Sequence, residues 1–143
     1  MSPPALDGAD VRAGDVLPAQ HHRPTRVSVF LFGVAYWTPH RIHYDVEYAR
    51  AEGFDDVLVT ANLLSAYNVQ LLTSWTGDRQ CVLELEERNV APAVGGDALT
   101  VTGEVLHVEV VDGRRRARCA LTISRDDDAT IIVTGEALIN LPC

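Results

Sequence analysis

The sequence predicts an α+β domain in which one long apolar helix is wrapped by an antiparallel sheet. Three observations predict it. Residues 61–75 put Leu63, Leu64, Tyr67, Leu71, Leu72 and Trp75 on one face at helical spacing. After Gly77 the apolar period becomes alternating, in runs separated by turn residues. A single helix with this much apolar surface also needs a sheet around it to bury it.

The elements follow in order. Residues 1–12 are rich in Pro, Ala and Asp and are expected to form a flexible lead-in, leaving residues 13–143 as a single domain. Gly14-Asp15-Val16-Leu17-Pro18 reads as a turn and the start of a first strand. Residues 27–37 are apolar almost throughout, and periodicity leaves buried strand and buried helix both open there. Pro39 stops any helix near Trp37. Asp45 is placed to cap a short helix over residues 46–52, with Gly53 as its stop. Thr60 caps the long helix and Gly77 ends it, with Asn62, Ser65, Asn68 and Thr73 spread over its remaining surface. Four strands are expected after it, over residues 81–89, 99–111, 114–124 and 130–140. The second switches apolar register near Val105-Leu106, which predicts a bulge.

Composition removes several function classes. A net charge of −8 speaks against a nucleic-acid partner. The one basic run, Arg114-Arg115-Arg116, follows an Asp112-Gly113 turn, and its alternate arginines are expected in solvent. The chain has no lysine, so Schiff-base chemistry and P-loop phosphate binding are excluded. No apolar run approaches the roughly 20 residues of a membrane helix, so no membrane partner is expected. Cys81, Cys119 and Cys143 are few and widely spaced, which fits a reducing, cytoplasmic setting.

The chemistry-bearing stretch is Thr38-Pro39-His40-Arg41-Ile42-His43-Tyr44-Asp45. It places two imidazoles and a carboxylate within six residues, ahead of a short helix. Imidazole titrates near physiological pH, so either ring is a candidate general base or a structural residue at a helix start. The loop spacing of His40, His43 and Asp45 matches no standard metal site, and no metal or cofactor is expected. His21 and His22, in a Pro-flanked loop, are expected to be solvated, and Tyr67 and Trp75 to belong to the core.

Four pieces of sequence resemble the hotdog fold, and within it the MaoC-like hydratases and dehydratases. They are the Gly14-to-Pro18 opening, the His40-to-Asp45 block followed by Tyr48-Ala49, and the run Val57-Leu58-Val59-Thr60-Ala61-Asn62-Leu63 leading to Thr73-Ser74-Trp75-Thr76-Gly77. The fourth is the set Asn89, Pro92, Gly96-Asp97 and Gly103. The His block is similar to that of type-2 3-hydroxyacyl-thioester dehydratases.

The resemblance implies hydration of 2-enoyl thioesters, or the reverse dehydration, on coenzyme A or acyl carrier protein. His43 takes the place of the family's catalytic His. Thr38 stands five residues earlier, where the family usually has Asp. Ala61 stands where the family has Gly, at a helix N-terminus whose amide would meet the thioester oxygen. His40 and Asp45 are implied as supporting residues, and Asn62 and Ser65 as residues facing the acyl chain. A homodimer, or a heterodimer with another hotdog subunit, is implied. Two alternatives stand beside this. One is a non-catalytic partner subunit, suggested by Thr38. The other, a hotdog thioesterase, would need a carboxylate on or near the central helix, and residues 61–75 contain none.

Overall fold

A computed structural model describes residues 6–143. The first five residues of the expected lead-in lie outside the described residues. The elements run β1 (Gln20–His22), α1 (Arg26–Ala35), a 3₁₀ turn (Arg41–His43), α2 (Val46–Ala51), α3 (Ala61–Thr76), β2 (Val82–Asn89), β3 (Leu99–Val111), β4 (Arg114–Arg125) and β5 (Ile131–Asn140). The strands form one antiparallel sheet in the order β1-β3-β4-β5-β2, so β1 and β2 are its edges.

Helix α3 is the centre of the fold. The Thr60 hydroxyl accepts the Leu63 amide at 3.2 Å, and Gly77 closes the C-terminus at φ 72°, a conformation glycine adopts without a Cβ penalty. Leu63, Leu64, Leu71 and Leu72 are buried against the inner face of the sheet, which supplies Leu99, Val101, Ala117, Cys119, Leu121, Ile123, Ala137 and Ile139. Tyr67 and Trp75 pack on the edge of this core. Gly103 lets helix and sheet approach closely, since a methyl group there would lie 3.1 Å from Leu17 Cδ2 and 3.2 Å from Leu71 Cδ2. The bulge in β3 falls where the alternation breaks: Val105 pairs with Cys119 and His107 with Arg118, leaving Leu106 as the extra residue.

The apolar run at 27–37, open between strand and helix from its sequence, lies mostly in helix α1, with a Thr25–Ser28 capping box at its start. Other local expectations are corrected. The turn and strand start expected at residues 14–18 form a single bridge between Val16 and Glu104, Pro18 has no N–H to donate to a ladder, and β1 begins at Gln20. Asn68, expected on the outer surface of α3, is fully buried. His22 is not solvated: its ring stacks on Tyr67 at 3.9 Å between centroids, and its Nε2 is buried without a partner. Burial, with His21 beside it, holds the His22 pKa below the ordinary histidine value.

Arg115 does not point to solvent. Its guanidinium donates to the carbonyls of Gly8 (2.9 Å) and Val11 (2.8 Å), and Val11 is buried in the core. Residues 8–11 of the lead-in are thereby fastened to β4.

Candidate functional site

The His block is shaped by the end of α1. Trp37 follows the helix in the left-handed region, at φ 53°, and its side chain is 80% exposed. That turn brings the Thr38 amide back to the Gly33 carbonyl at 2.9 Å, and the Thr38 hydroxyl donates to the same oxygen at 3.4 Å. Thr38 therefore closes the helix end while keeping its oxygen lone pairs free to accept.

His40 serves as a cap. Its Nδ1 accepts the Ile42 amide at 3.2 Å, opening the 3₁₀ turn that carries His43. The His43 ring lies edge-on to that of His40, at 6.3 Å between centroids. His43 Nδ1 lies 2.7 Å from the Leu58 carbonyl oxygen. A carbonyl only accepts, so the proton sits on Nδ1 and the Nε2 lone pair is free. The Leu58 amide in turn donates to the Ile42 carbonyl at 2.8 Å, which ties the 3₁₀ turn to the segment leading into α3.

Asp45 caps α2 by accepting the Tyr48 amide at 3.1 Å, and pairs with Arg41 at 2.7 Å. The hydrogen bond from Arg41, then that from the Tyr48 amide, hold its pKa below the usual carboxylate value. Among the described residues Asp45 makes no bond to either histidine ring, so its support of the site is through the backbone of α2.

Ala61 is the first residue of α3 and is exposed. The Thr60 side chain and carbonyl serve the amides of Leu63 and Leu64, and the Ala61 amide has no partner among the described residues. The helix N-terminus and the open N–H together form an anion-favouring point.

His43 and Ala61 line one cleft of about 540 Å³, together with Ile42, Leu58, Leu64 and Val90. His43 also borders a small apolar cavity of about 110 Å³ on its other side, walled by Phe30, Trp37, Thr38 and Tyr44. His43 thus lines both the Thr38 chamber and the Ala61 cleft. Asn62 and Ser65 lie elsewhere: they border a groove on the outer side of α3 with Tyr36, Gln70 and Arg79. Among the described residues no group of three or more His, Cys, Asp or Glu side chains gathers as a metal site would.

The sequence reasoning missed Glu87. It lies on β2, two residues beyond Leu85 on the core-facing side of that strand. Its carboxylate accepts from Ser65 Oγ and, at 2.6 Å, from Asn68 Nδ2. The carboxylate absent from residues 61–75 is therefore supplied to α3 by the neighbouring strand. The available signal was a break in pattern: a Glu in an inward strand position and an Asn on the apolar stripe of the helix.

Solved structures of the same architecture are similar over almost the whole chain. The (R)-hydratase PhaJ1 from Pseudomonas aeruginosa, in its unliganded form, matches with a TM-score of 0.83 at 23% identity, covering 94% of this chain and 84% of that one. The (R)-hydratase from A. caviae involved in PHA biosynthesis matches with a TM-score of 0.83 at 22% identity, covering 93% and 98%. The ChsH1–ChsH2 complex from Mycobacterium tuberculosis matches with a TM-score of 0.80 at 21% identity, covering 93% and 99%. No curated protein sequence matches the chain. The family model for hydroxyacyl-thioester dehydratase type 2 matches residues 9–95, which include the His block, the Ala61 helix start and Glu87. The chain belongs to the hydroxyacyl-thioester dehydratase type 2 family and has the hotdog fold.

Proposed function

We infer that this chain hydrates 2-enoyl thioesters to 3-hydroxyacyl thioesters, or runs the reverse dehydration, with His43 as the single acid–base group. The observation that carries the reading is the His43–Leu58 bond, which leaves Nε2 free on a residue that lines the same cleft as Ala61, whose amide has no partner among the described residues. In the forward direction Nε2 takes a proton from water as the water oxygen bonds to C3. The C2=C3 electron pair moves toward the thioester, and negative charge collects on its oxygen. The Ala61 N–H donates to that oxygen. The imidazolium then returns the proton to C2, so His43 ends as it began. Thr38 has no titratable group near neutral pH; its role is to accept a hydrogen bond from the water and orient it. The thioester is carried by coenzyme A or by acyl carrier protein. The unpaired thiols support a reducing, cytoplasmic setting.

A second reading has an observation of its own. Helix α1 exposes Val27, Phe30, Leu31 and Val34, and Trp37 follows them, a surface suited to another hotdog subunit. With Thr38 in place of a carboxylate, the chain would then be the non-catalytic half of a heterodimer; in the first reading it pairs with its own copy. A thioesterase reading is weaker, because the Glu87 carboxylate is already engaged by Ser65 and Asn68.

The test is the purified chain alone with crotonyl-CoA and longer enoyl-CoA thioesters, following loss of enoyl absorbance, beside His43→Ala. Turnover that disappears in the variant supports the hydratase. No turnover at any chain length sinks it in favour of the partner subunit, and release of free thiol without hydration identifies a thioesterase.

A further inference from the structure

Among the described residues that line the His43 cleft, only His43 and Asn89 carry polar side chains. Asn89 ends β2 and stands opposite Val133, which is buried. Its side chain is therefore on the core-facing side of the strand, with those of Leu85 and Glu87. Glu87 fixes the level of the strand against α3. Its carboxylate accepts from Ser65 and Asn68, in the first half of the helix, while residues 77–81 join the end of the helix to the start of β2. The two elements therefore run antiparallel. Two residues beyond Glu87 is about 6.6 Å of strand, the rise of roughly four to five helical residues. Counted back from between Ser65 and Asn68, that brings Asn89 level with the first turn of α3, where Ala61 has its open N–H. Glu87 is already engaged, whereas the exposed Asn89 carboxamide has no hydrogen-bond partner among the described residues.

We propose that the Asn89 carboxamide is a second donor to the thioester oxygen, beside the Ala61 amide. This rests on the thioester reading above. A carbonyl oxygen has two lone pairs, and the charge that collects on it during hydration is stabilised by N–H groups aimed at both. The Ala61 N–H serves one. His43 does not serve the other, because its Nδ1 proton is held by the Leu58 carbonyl and its Nε2 proton is the one in transfer. The remaining side chains of the cleft are apolar apart from Asn89, whose NH2 has two hydrogens to donate. Asn89 stays neutral throughout and gives up no proton. A thioester that fills the cleft also strips water from the carboxamide, which is unfavourable unless the ligand takes a bond from it.

The experiment has two readouts, so its failure is separable from that of the hydratase reading. The first needs no turnover. It is the carbonyl stretch of saturated butyryl-CoA, labelled with carbon-13 at the thioester carbon and bound to the protein, read by difference infrared spectroscopy. The second is kcat and KM on crotonyl-CoA. In the unaltered protein the bound carbonyl absorbs at lower frequency than the free thioester in water. In Asn89→Leu it moves back toward the free value, and kcat falls by about 10²-fold with little change in KM. Asn89→Asp has the shape of Asn89 but, ionised, can only accept. It should lose at least as much kcat, whereas a role in packing alone would spare it. Folding of each variant is checked by its thermal transition, and Asn89→Ala replaces either one that does not fold. A shifted carbonyl that depends on Asn89, without turnover of crotonyl-CoA, supports the second donor and sinks the hydratase reading. A carbonyl frequency and a kcat that are the same in the folded variants overturn the proposal and leave the hydratase standing. Failure of the unaltered protein to bind the thioester overturns both.

Discussion

The Leu58 carbonyl oxygen lies 2.7 Å from His43 Nδ1, and this one backbone acceptor determines which ring nitrogen keeps a free lone pair. The bond also holds the ring against rotation, so His43 is positioned by the segment that leads into α3. Loss of the imidazole removes the only proton carrier of the proposed reaction. His43→Ala should lower kcat/KM by about 10³, within the usual range for a positioned acid–base group. The thermal transition should move only by the equivalent of one hydrogen bond, about 1 kcal/mol.

Ala61 gives a cleaner test of the oxyanion donor. Proline is tolerated at the first position of a helix, and Thr60 already has the extended conformation (ψ 144°) that a following proline requires. Ala61→Pro therefore deletes one N–H and leaves α3 intact. We expect kcat to fall by about 10²–10³ with the melting temperature shifted by less than about 4 °C. Ala61→Gly retains the N–H and should retain activity; an equal loss in both variants would remove the amide from the mechanism.

Thr38 should matter far less than His43. Its hydroxyl donates to Gly33 and can only accept from a water, so Thr38→Val removes one neutral hydrogen bond. A loss of about fivefold in kcat/KM is expected, the equivalent of ~1 kcal/mol. A loss as large as that of His43→Ala would show that Thr38 does more than orient water.

These contrasts reflect what was legible in the sequence. The caps of α3, the short helix after Asp45 and the bulge at Leu106 follow from local chemistry, because cap residues and alternation act over a few positions. Helix α1 was not decidable from its apolar run alone, although Thr25 and Ser28 spell its capping box. Asn68, Glu87 and His22 depend on contacts between residues 19 to 45 positions apart, which no local pattern carries.

His22 makes stability depend on pH. Its folded pKa is below the ordinary histidine value of 6.5, through burial first and His21 second. The unfolded chain then binds the proton more readily. This contribution is complete above pH 6.5 and is lost as pH falls from there through the lower folded pKa. Denaturant midpoints between pH 7.5 and 5 should fall more steeply for the unaltered protein than for His22→Phe, which keeps the stack on Tyr67 and cannot titrate. Equal slopes would remove His22 as a source.

Gly103 should tolerate no side chain. A Cβ there meets Leu17 and Leu71 at 3.1 and 3.2 Å, both from buried residues. Gly103→Ala should destabilise by about 1–3 kcal/mol, read as a melting temperature lower by roughly 3–10 °C. An unchanged transition would mean that α3 can back away from the sheet without loss.

Arg115 binds both ends of the described chain. Its side chain holds Gly8 and Val11, and its carbonyl accepts the Leu141 amide at 3.0 Å, with Gly8 packed against Leu141 and Pro142. The order in which the chain is threaded is therefore separable from the shape it makes. A circular permutant, joined by a short linker across this corner and reopened in the exposed Asp126-Asp127-Asp128 turn, would keep every strand pairing and the His43 cleft.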